Sequence, residues 1–288
     1  MAVHPPKPLI AACCKLVDRH MDVDSLSGDV RVEPNSSGMS PADEAALEWA
    51  LRIAEAWGGS VVAVTAGPPE AEQVLRDALA AGAASAVRVD LGRRASSAEV
   101  AAGLARSLRD ASVVCCGDAS LDRGTGAVPA FLAGELAAEQ ALGLVGLHLP
   151  GRCEGGLPTL RAERRLDRGR RERLDLSPPC VVSVEAHTAR LRRAPLDRVL
   201  AAHGATVDVA LVPGGVPAVD GDAGPVRIVP YRPRPRVVPA PASLSARERV
   251  LALTGSPGAR APQRAVRLPP ARAAALLLET LESWGELP

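Results

Sequence analysis

Apolar and polar positions follow two alternating rhythms over the first half of the chain. "PLIAACCKLV" (8–17) is apolar almost throughout, as a parallel strand covered on both faces should be. From Ser40 the apolar residues recur at helical spacing, with Leu47, Ala50, Leu51 and Ala54 as the stripe of a helix over 40–59. Ser40 is placed to cap it, Pro41 suits its first turn, acids follow, and Gly58-Gly59 ends it. "SVVAVTAG" (60–67) reads as the next strand. A helix then runs through Val74, Leu75, Ala78 and Leu79 to Gly82, and a strand covers 86–90. A helix over 97–109 opens with Ser96 and Glu99 spaced as a capping box. "SVVCC" is a strand, 126–140 a helix, and "LGLVGLHL" a further buried strand. This β-α alternation predicts an α/β, Rossmann-like fold with a doubly wound, mostly parallel sheet.

From residue 151 the pattern changes. "LPTLRAERRL" and "RERLDLS" flank Asp167-Arg168-Gly169 as the arms of a hairpin, and "PPCVVSVEAH" is another strand. Residues 211–247 are rich in Pro, Gly and Val with weak periodicity, which reads as an extended arm. A last helix near 270–284 carries Leu276, Leu277, Leu278 and Leu281. The organisation expected is a nucleotide-binding-like α/β domain over 1–210. An arm and C-terminal helix over 211–288 would pack on a partner subunit.

Composition narrows the function classes. Apolar residues make up 47% of the chain and aromatics only 2%, so the core must be built from Ala, Val and Leu. A net charge of +1 gives no electrostatic case for nucleic acid or an acidic membrane surface. No stretch approaches the about 20 apolar residues of a spanning helix, and no secretory start is visible, so a cytoplasmic protein without membrane insertion is expected. The cysteines at 13, 14, 115, 116, 153 and 180 lack CxxC spacing and read as small buried residues in a reducing compartment, not as a zinc site. His20 lies near Asp18, and His148, in an apolar run, reads as a core histidine. No HExxH, no GxSxG and no paired carboxylates in a credible catalytic frame occur, so neither catalytic nor metal-ligating residues are assigned. Seven arginines over 161–173, interleaved with acids and without aromatics, read as the charged face of the hairpin.

Candidate chemistry gathers where strands hand over to helices. "GDASLDRGTGAVP" (117–129) is a glycine loop between a strand and a helix, the place where open α/β sheets meet phosphate. It is neither a Walker loop nor GxGxxG. "TAGPP" (65–69) and "SPADE" (40–44) are two more such junctions on the same expected edge, and all three converging would form a nucleotide cleft.

Four blocks then resemble, in order, the beta subunit of electron transfer flavoprotein. "SPADEAALEWALRI" resembles the family's Asn-Pro-Phe-x-Glu helix start, with Ser40 for Asn. "VVAVTAGPPEAEQVLRDALAAGA" is close to a family strand and helix. "AERRLDRGRRERLDLSPPCVVS" follows its signature, with Arg168 departing from the small or acidic residue expected. "APQRAVRL" resembles the segment before the family's C-terminal helix. In overall look, though by no motif, the chain also resembles a mycofactocin-associated branch.

The resemblance implies a heterodimer with an alpha subunit that holds most of an FAD. The pair would carry electrons from a dehydrogenase to a later acceptor, with no bond chemistry by this chain itself. It also implies AMP at the strand edge, through Ala12, Ser40, Pro41, Ala42, Asp43 and Ala66 and the loop Asp122, Arg123, Gly124, Thr125 and Gly126. That loop lacks the Asn-Gln pair of the family's Asp-Asp-x-x-Asn-Gln-Thr-Gly, so AMP is expected to bind weakly or be lost. Arg19 falls on a flavin-facing position, where a cation would favour an anionic reduced flavin. Leu196 falls on the leucine that docks the dehydrogenase. A solitary adenine-nucleotide module similar to universal stress proteins would share the sheet but not the long tail.

Overall fold

The strands put successive side chains on opposite faces, and both faces are buried. In β1 (Leu9–Cys13), Ile10 and Ala12 enter one apolar cluster and Ala11 the other. In β6 (Ser60–Gly67) Val61 and Ala63 part from Val62 and Val64 in the same way. So do Val113 and Cys115 from Val114 and Cys116 in β8 (Ala111–Gly117). Period-two splitting of a continuously apolar run requires cover on both sides. Helices α1 (Pro41–Trp57) and α2 (Glu72–Ala81) supply it on one face, α3 (Ser97–Ser107) and α4 (Val128–Leu136) on the other. Truncating the fully buried Leu47 of α1 to Ala would cost roughly 2–5 kcal/mol.

In this computed structural model the described residues are 7–24, 26–33, 36–93, 95–149, 159–212, 245–253 and 268–283. The chain divides into two compact units, Met1–Tyr231 and Arg232–Pro288. The first carries a nine-stranded sheet. With β7 (Ser85–Asp90), β9 (Glu139–His148), β10 (Leu160–Arg165), β11 (Arg171–Leu176), β12 (Cys180–Val184) and β13 (Asp208–Ala210), its order is β11-β10-β9-β12-β8-β1-β6-β7-β13. Only β10 runs against the others. Four short strands, β2 (Leu16–Asp18), β3 (Met21–Val23), β4 (Val30–Val32) and β5 (Ser37–Met39), pair as β2-β5 and β3-β4 beside it. The α/β, mostly parallel, Rossmann-like sheet expected from the pattern is present.

Several expectations are corrected. The apolar run 8–17 is two strands, β1 and β2, not one. The helix expected over 126–140 spans only Val128–Leu136, and Glu139-Gln140 already belong to β9. Gly126 is left-handed (φ 59), so the helix cannot start there, and Ala137 (φ 50) ends it without a glycine. His148 is exposed at the end of β9, not a core histidine. A helix α5 (Leu196–His203), strand β13 and a helix α6 (Ala246–Leu253) were not foreseen.

The hairpin β10–β11 pairs Leu160↔Leu176 through Arg165↔Arg171 around Arg168 at φ 60. Its acids match its arginines: Arg161 meets Asp175 at 2.9 Å, Glu163 meets Arg171 at 2.6 Å, and Arg164 pairs with Glu172. Cys14, Cys115, Cys116 and Cys180 are buried and Cys13 is partly so, all as free thiols. Cys153 lies outside the described residues, as do 213–244 of the expected arm and the block "APQRAVRL" up to residue 267. In the second unit α7 (Pro270–Ser283) is a helix with Leu276, Leu277 and Leu278 exposed. Among the described residues no helix is long and apolar enough to cross a membrane.

Candidate functional site

Strand order reverses at β1, which has β6 on one side and β8 on the other. At such a switch point the connecting helices leave in opposite directions, and a crevice opens at the carboxyl ends of the strands. A cavity of about 330 Å³ lies there. Its walls are Cys13-Cys14 from β1, Ala66-Gly67 from β6, Cys116-Gly117 from β8, the turn before α3, and the loop that leads to α4.

The start of α1 reaches the cavity because Ser40 caps it. Ser40 is extended (φ −67, ψ 153), and its Oγ accepts from the Asp43 N–H at 3.2 Å. Asp43 is thereby turned inward and buried, where its Oδ2 accepts from the Lys15 N–H at 3.2 Å. Burial pushes the Asp43 carboxyl up to about 7, against hydrogen bonds from Ser40, Lys15 and Gly117 that favour the charged form. Gly117 admits this arrangement: a Cβ there would stand 2.5 Å from Asp43 Oδ1 and 2.9 Å from the Ala42 Cβ.

The loop after β8 is tied down on two sides. Lys15 Nζ donates to Asp122 Oδ2 at 2.6 Å and to Ser120 Oγ at 3.3 Å. The Arg123 guanidinium donates to the carbonyls of Ala95, at 2.6 Å, and Arg93, at 3.0 Å, joining the loop to the turn before α3. Within the loop the Gly124 N–H donates to Ser120 O at 3.0 Å. Gly124 and Gly126 are both left-handed, and a Cβ at Gly126 would meet Asp118 O at 2.6 Å. Burial holds Asp118 above the usual carboxylate range, whereas the Lys15 and Ser120 contacts outweigh burial and hold Asp122 below it. Cys13 and Cys116 both line the wall, and the neighbouring Cys13 sulfur together with burial pushes the Cys116 thiol well up.

Of the residues singled out in the sequence, Asp43, Ala66, Asp122, Arg123, Thr125 and Gly126 line this cavity. Gly124 lies in the same loop. Ala12 is fully buried one residue before the lining, Ser40 acts as the cap, and Ala42 packs against Gly117 while Pro41 faces solvent. Two residues fall elsewhere. Arg19 donates from Nε to Met39 O at 2.8 Å and pairs with Glu44. Leu196 is the first residue of α5 and is 73% exposed. Sequence reasoning missed Lys15, Ser120 and Arg93. The one available signal was that Lys15 is one of two lysines in an arginine-rich chain.

The model of the electron transfer flavoprotein domain matches residues 30–211, more than half of the chain, and takes in the start of α1, the end of β6 and the whole loop. The chain belongs to the electron transfer flavoprotein domain family. Within it the chain is similar to Protein FixA of Rhizobium meliloti, 30% identical over 194 residues, which cover 61% of this chain and 65% of that protein. It is similar to the electron transfer flavoprotein subunit beta of Thermoanaerobacterium thermosaccharolyticum, 34% identical over 125 residues, 38% of this chain and 47% of the relative. The subunit beta of Bacillus subtilis is 45% identical over 53 residues, 18% and 21% of the two chains. The chain spans less than two thirds of the length of each relative. The family match begins after β1, so Lys15 lies outside it while its partners Ser120 and Asp122 lie within.

Proposed function

We propose that this chain is a beta-type subunit of an electron transfer flavoprotein. It would pair with an alpha-type subunit and carry electrons from a dehydrogenase to a downstream acceptor. The observation that carries the reading is the overlap of family match and cavity: residues 30–211 supply three of the junctions that converge on it. FAD, held chiefly by the alpha subunit in the family, supplies the electron chemistry when bound. The part of this chain is to orient and to tune. Arg19 is the residue the resemblance turns toward the flavin, and its charge is already partly compensated by Glu44.

The cavity fits an adenine nucleotide held loosely. Lys15 and the Thr125 hydroxyl, with Arg93 and Arg123 nearby, are suited to a phosphate, and Val100, Leu104 and Val128 offer apolar wall. Against this, Lys15 is already paired with Asp122, and Asp43 would repel an anion unless its carboxyl carries a proton.

The test is co-expression with an alpha-type subunit from the same genome. A one-to-one complex with flavin absorbance that is bleached by a dehydrogenase and its substrate is expected. A chain that stays alone and flavin-free in that experiment would overturn the reading.

A further inference from the structure

Helix α5 lies against α2 but buries little of itself. It is eight residues long, only Ala202 is buried, and Leu196 and Leu200 are 73% and 67% exposed. A helix of that length is not stable by itself in water. What cover it has comes from α2, beside which lies a groove of about 260 Å³ lined by Arg76, Asp77, Leu191, Val199 and His203.

Arg192 lies on the segment that leads into α5. Its backbone N–H and its Nε donate to Glu48 Oε2 at 3.1 and 3.0 Å, and a second guanidinium nitrogen donates to Oε1 at 3.2 Å. The same guanidinium pairs with Glu55. Glu48 is buried in the middle of α1 and also receives Arg52 Nε at 2.8 Å. Four residues before Arg192, Thr188 Oγ1 accepts from Trp49 Nε1 at 3.2 Å and donates to Glu185 O at 2.7 Å. The segment leaving β12 is therefore fastened to α1 at two points, the second of them four residues before Leu196.

We infer that Glu48 and Arg192 form a positioning pair, which fixes the N-terminal end of α5 and so presents Leu196 and Leu200 to a docking protein. The inference rests on the proposed function and on the resemblance that gives Leu196 a dehydrogenase-docking position. A fork of three donors on one buried carboxylate defines direction as well as distance. With that fork removed, only the packing of α5 on α2 would set the direction of the helix.

The test uses the full-length heterodimer with Arg192→Met, Arg192→Lys and Leu196→Ala. Hydrogen exchange over 186–203 and steady-state kinetics are measured with a dehydrogenase that reduces the unmutated protein. Arg192→Met should speed exchange over 186–203 roughly tenfold, with 41–57 and flavin content unchanged. The apparent KM should rise roughly three- to tenfold at nearly constant kcat, and Arg192→Lys should recover part of it. If Leu196→Ala raises KM and Arg192→Met does not, docking stands and the positioning pair falls. If Leu196→Ala has no effect on KM, the docking reading fails, and exchange over 186–203 alone decides whether the pair positions α5. Exchange accelerated throughout α1 as well overturns the inference, because Arg192 is then part of general stability.

Discussion

Lys15 Nζ lies 2.6 Å from Asp122 Oδ2, although 107 residues separate the two in the chain. The pair joins the end of β1 to the loop that leads to α4, and both side chains are partly exposed. An ion pair of this kind contributes about 1 kcal/mol or less, so a phosphate can compete with it. Asp122→Ala should free Lys15 and tighten AMP binding roughly three- to tenfold, and Lys15→Met should weaken it. Titration calorimetry on the heterodimer measures both. Equal affinities in all three proteins would remove Lys15 from the ligand contacts. One AMP retained per heterodimer through purification would show that the shortened loop suffices.

Asp43 makes stability depend on pH. Its folded carboxyl is raised to about 7 from an ordinary 3.8, so between these values the folded state holds a proton that the unfolded state has lost. Stability from this group is therefore fully present below about pH 4, declines as pH rises, and is gone above about 7. The raised value corresponds to about 4 kcal/mol across the whole of that window. Urea unfolding at pH 5 and pH 8 should show the drop in the native protein and a much smaller one in Asp43→Asn. A native protein equally stable at both values would refute the assignment.

Leu196 offers an apolar anchor at the head of a short helix. If it seats in a pocket on the dehydrogenase, removing it forfeits about 2 kcal/mol of docking. Leu196→Ala should raise the apparent KM for this protein by tenfold or more while the melting temperature and flavin content hold. A variant that melts early would instead mark Leu196 as a packing residue.

Leu276, Leu277 and Leu278 lie exposed on α7. Their proposed cover is the alpha-type subunit. Leu277→Glu should lower the yield of co-purified heterodimer several-fold, with little change in the fold of the chain alone by circular dichroism. Undiminished co-purification would place the subunit contact elsewhere.

Where local chemistry decided an element, the sequence showed it. Ser40, Pro41 and Gly58 mark α1 to within a residue or two, and the Ser96–Glu99 capping box is present at the start of α3. Where tertiary packing decided, the signal was missing. The stop of α4 falls at Ala137, with the Ala138 N–H donating to Ala133 O, and no glycine announces it. Helix α5 starts at Pro195-Leu196 without a side-chain cap. The loop, α1 start and β6 end were each visible as phosphate-type junctions, but their closure by Lys15 depends on a contact between distant parts of the chain. His148 shows the converse error: it ends an apolar run, yet it is the exposed last residue of β9, paired with Arg161.

The strand order also governs how the chain must be made. β12 is inserted between β8 and β9, both synthesised before it. At roughly 5–20 residues per second on the ribosome, β8 waits several seconds or more for residues 180–184 to emerge. During that interval one edge of "VVCC" has open backbone groups and apolar side chains, the kind of surface that pairs with other chains. The closing strand thus acts as a late folding checkpoint. A nascent chain cut short before Cys180 should be a substrate for chaperones, while one that reaches Val184 can seal its own sheet.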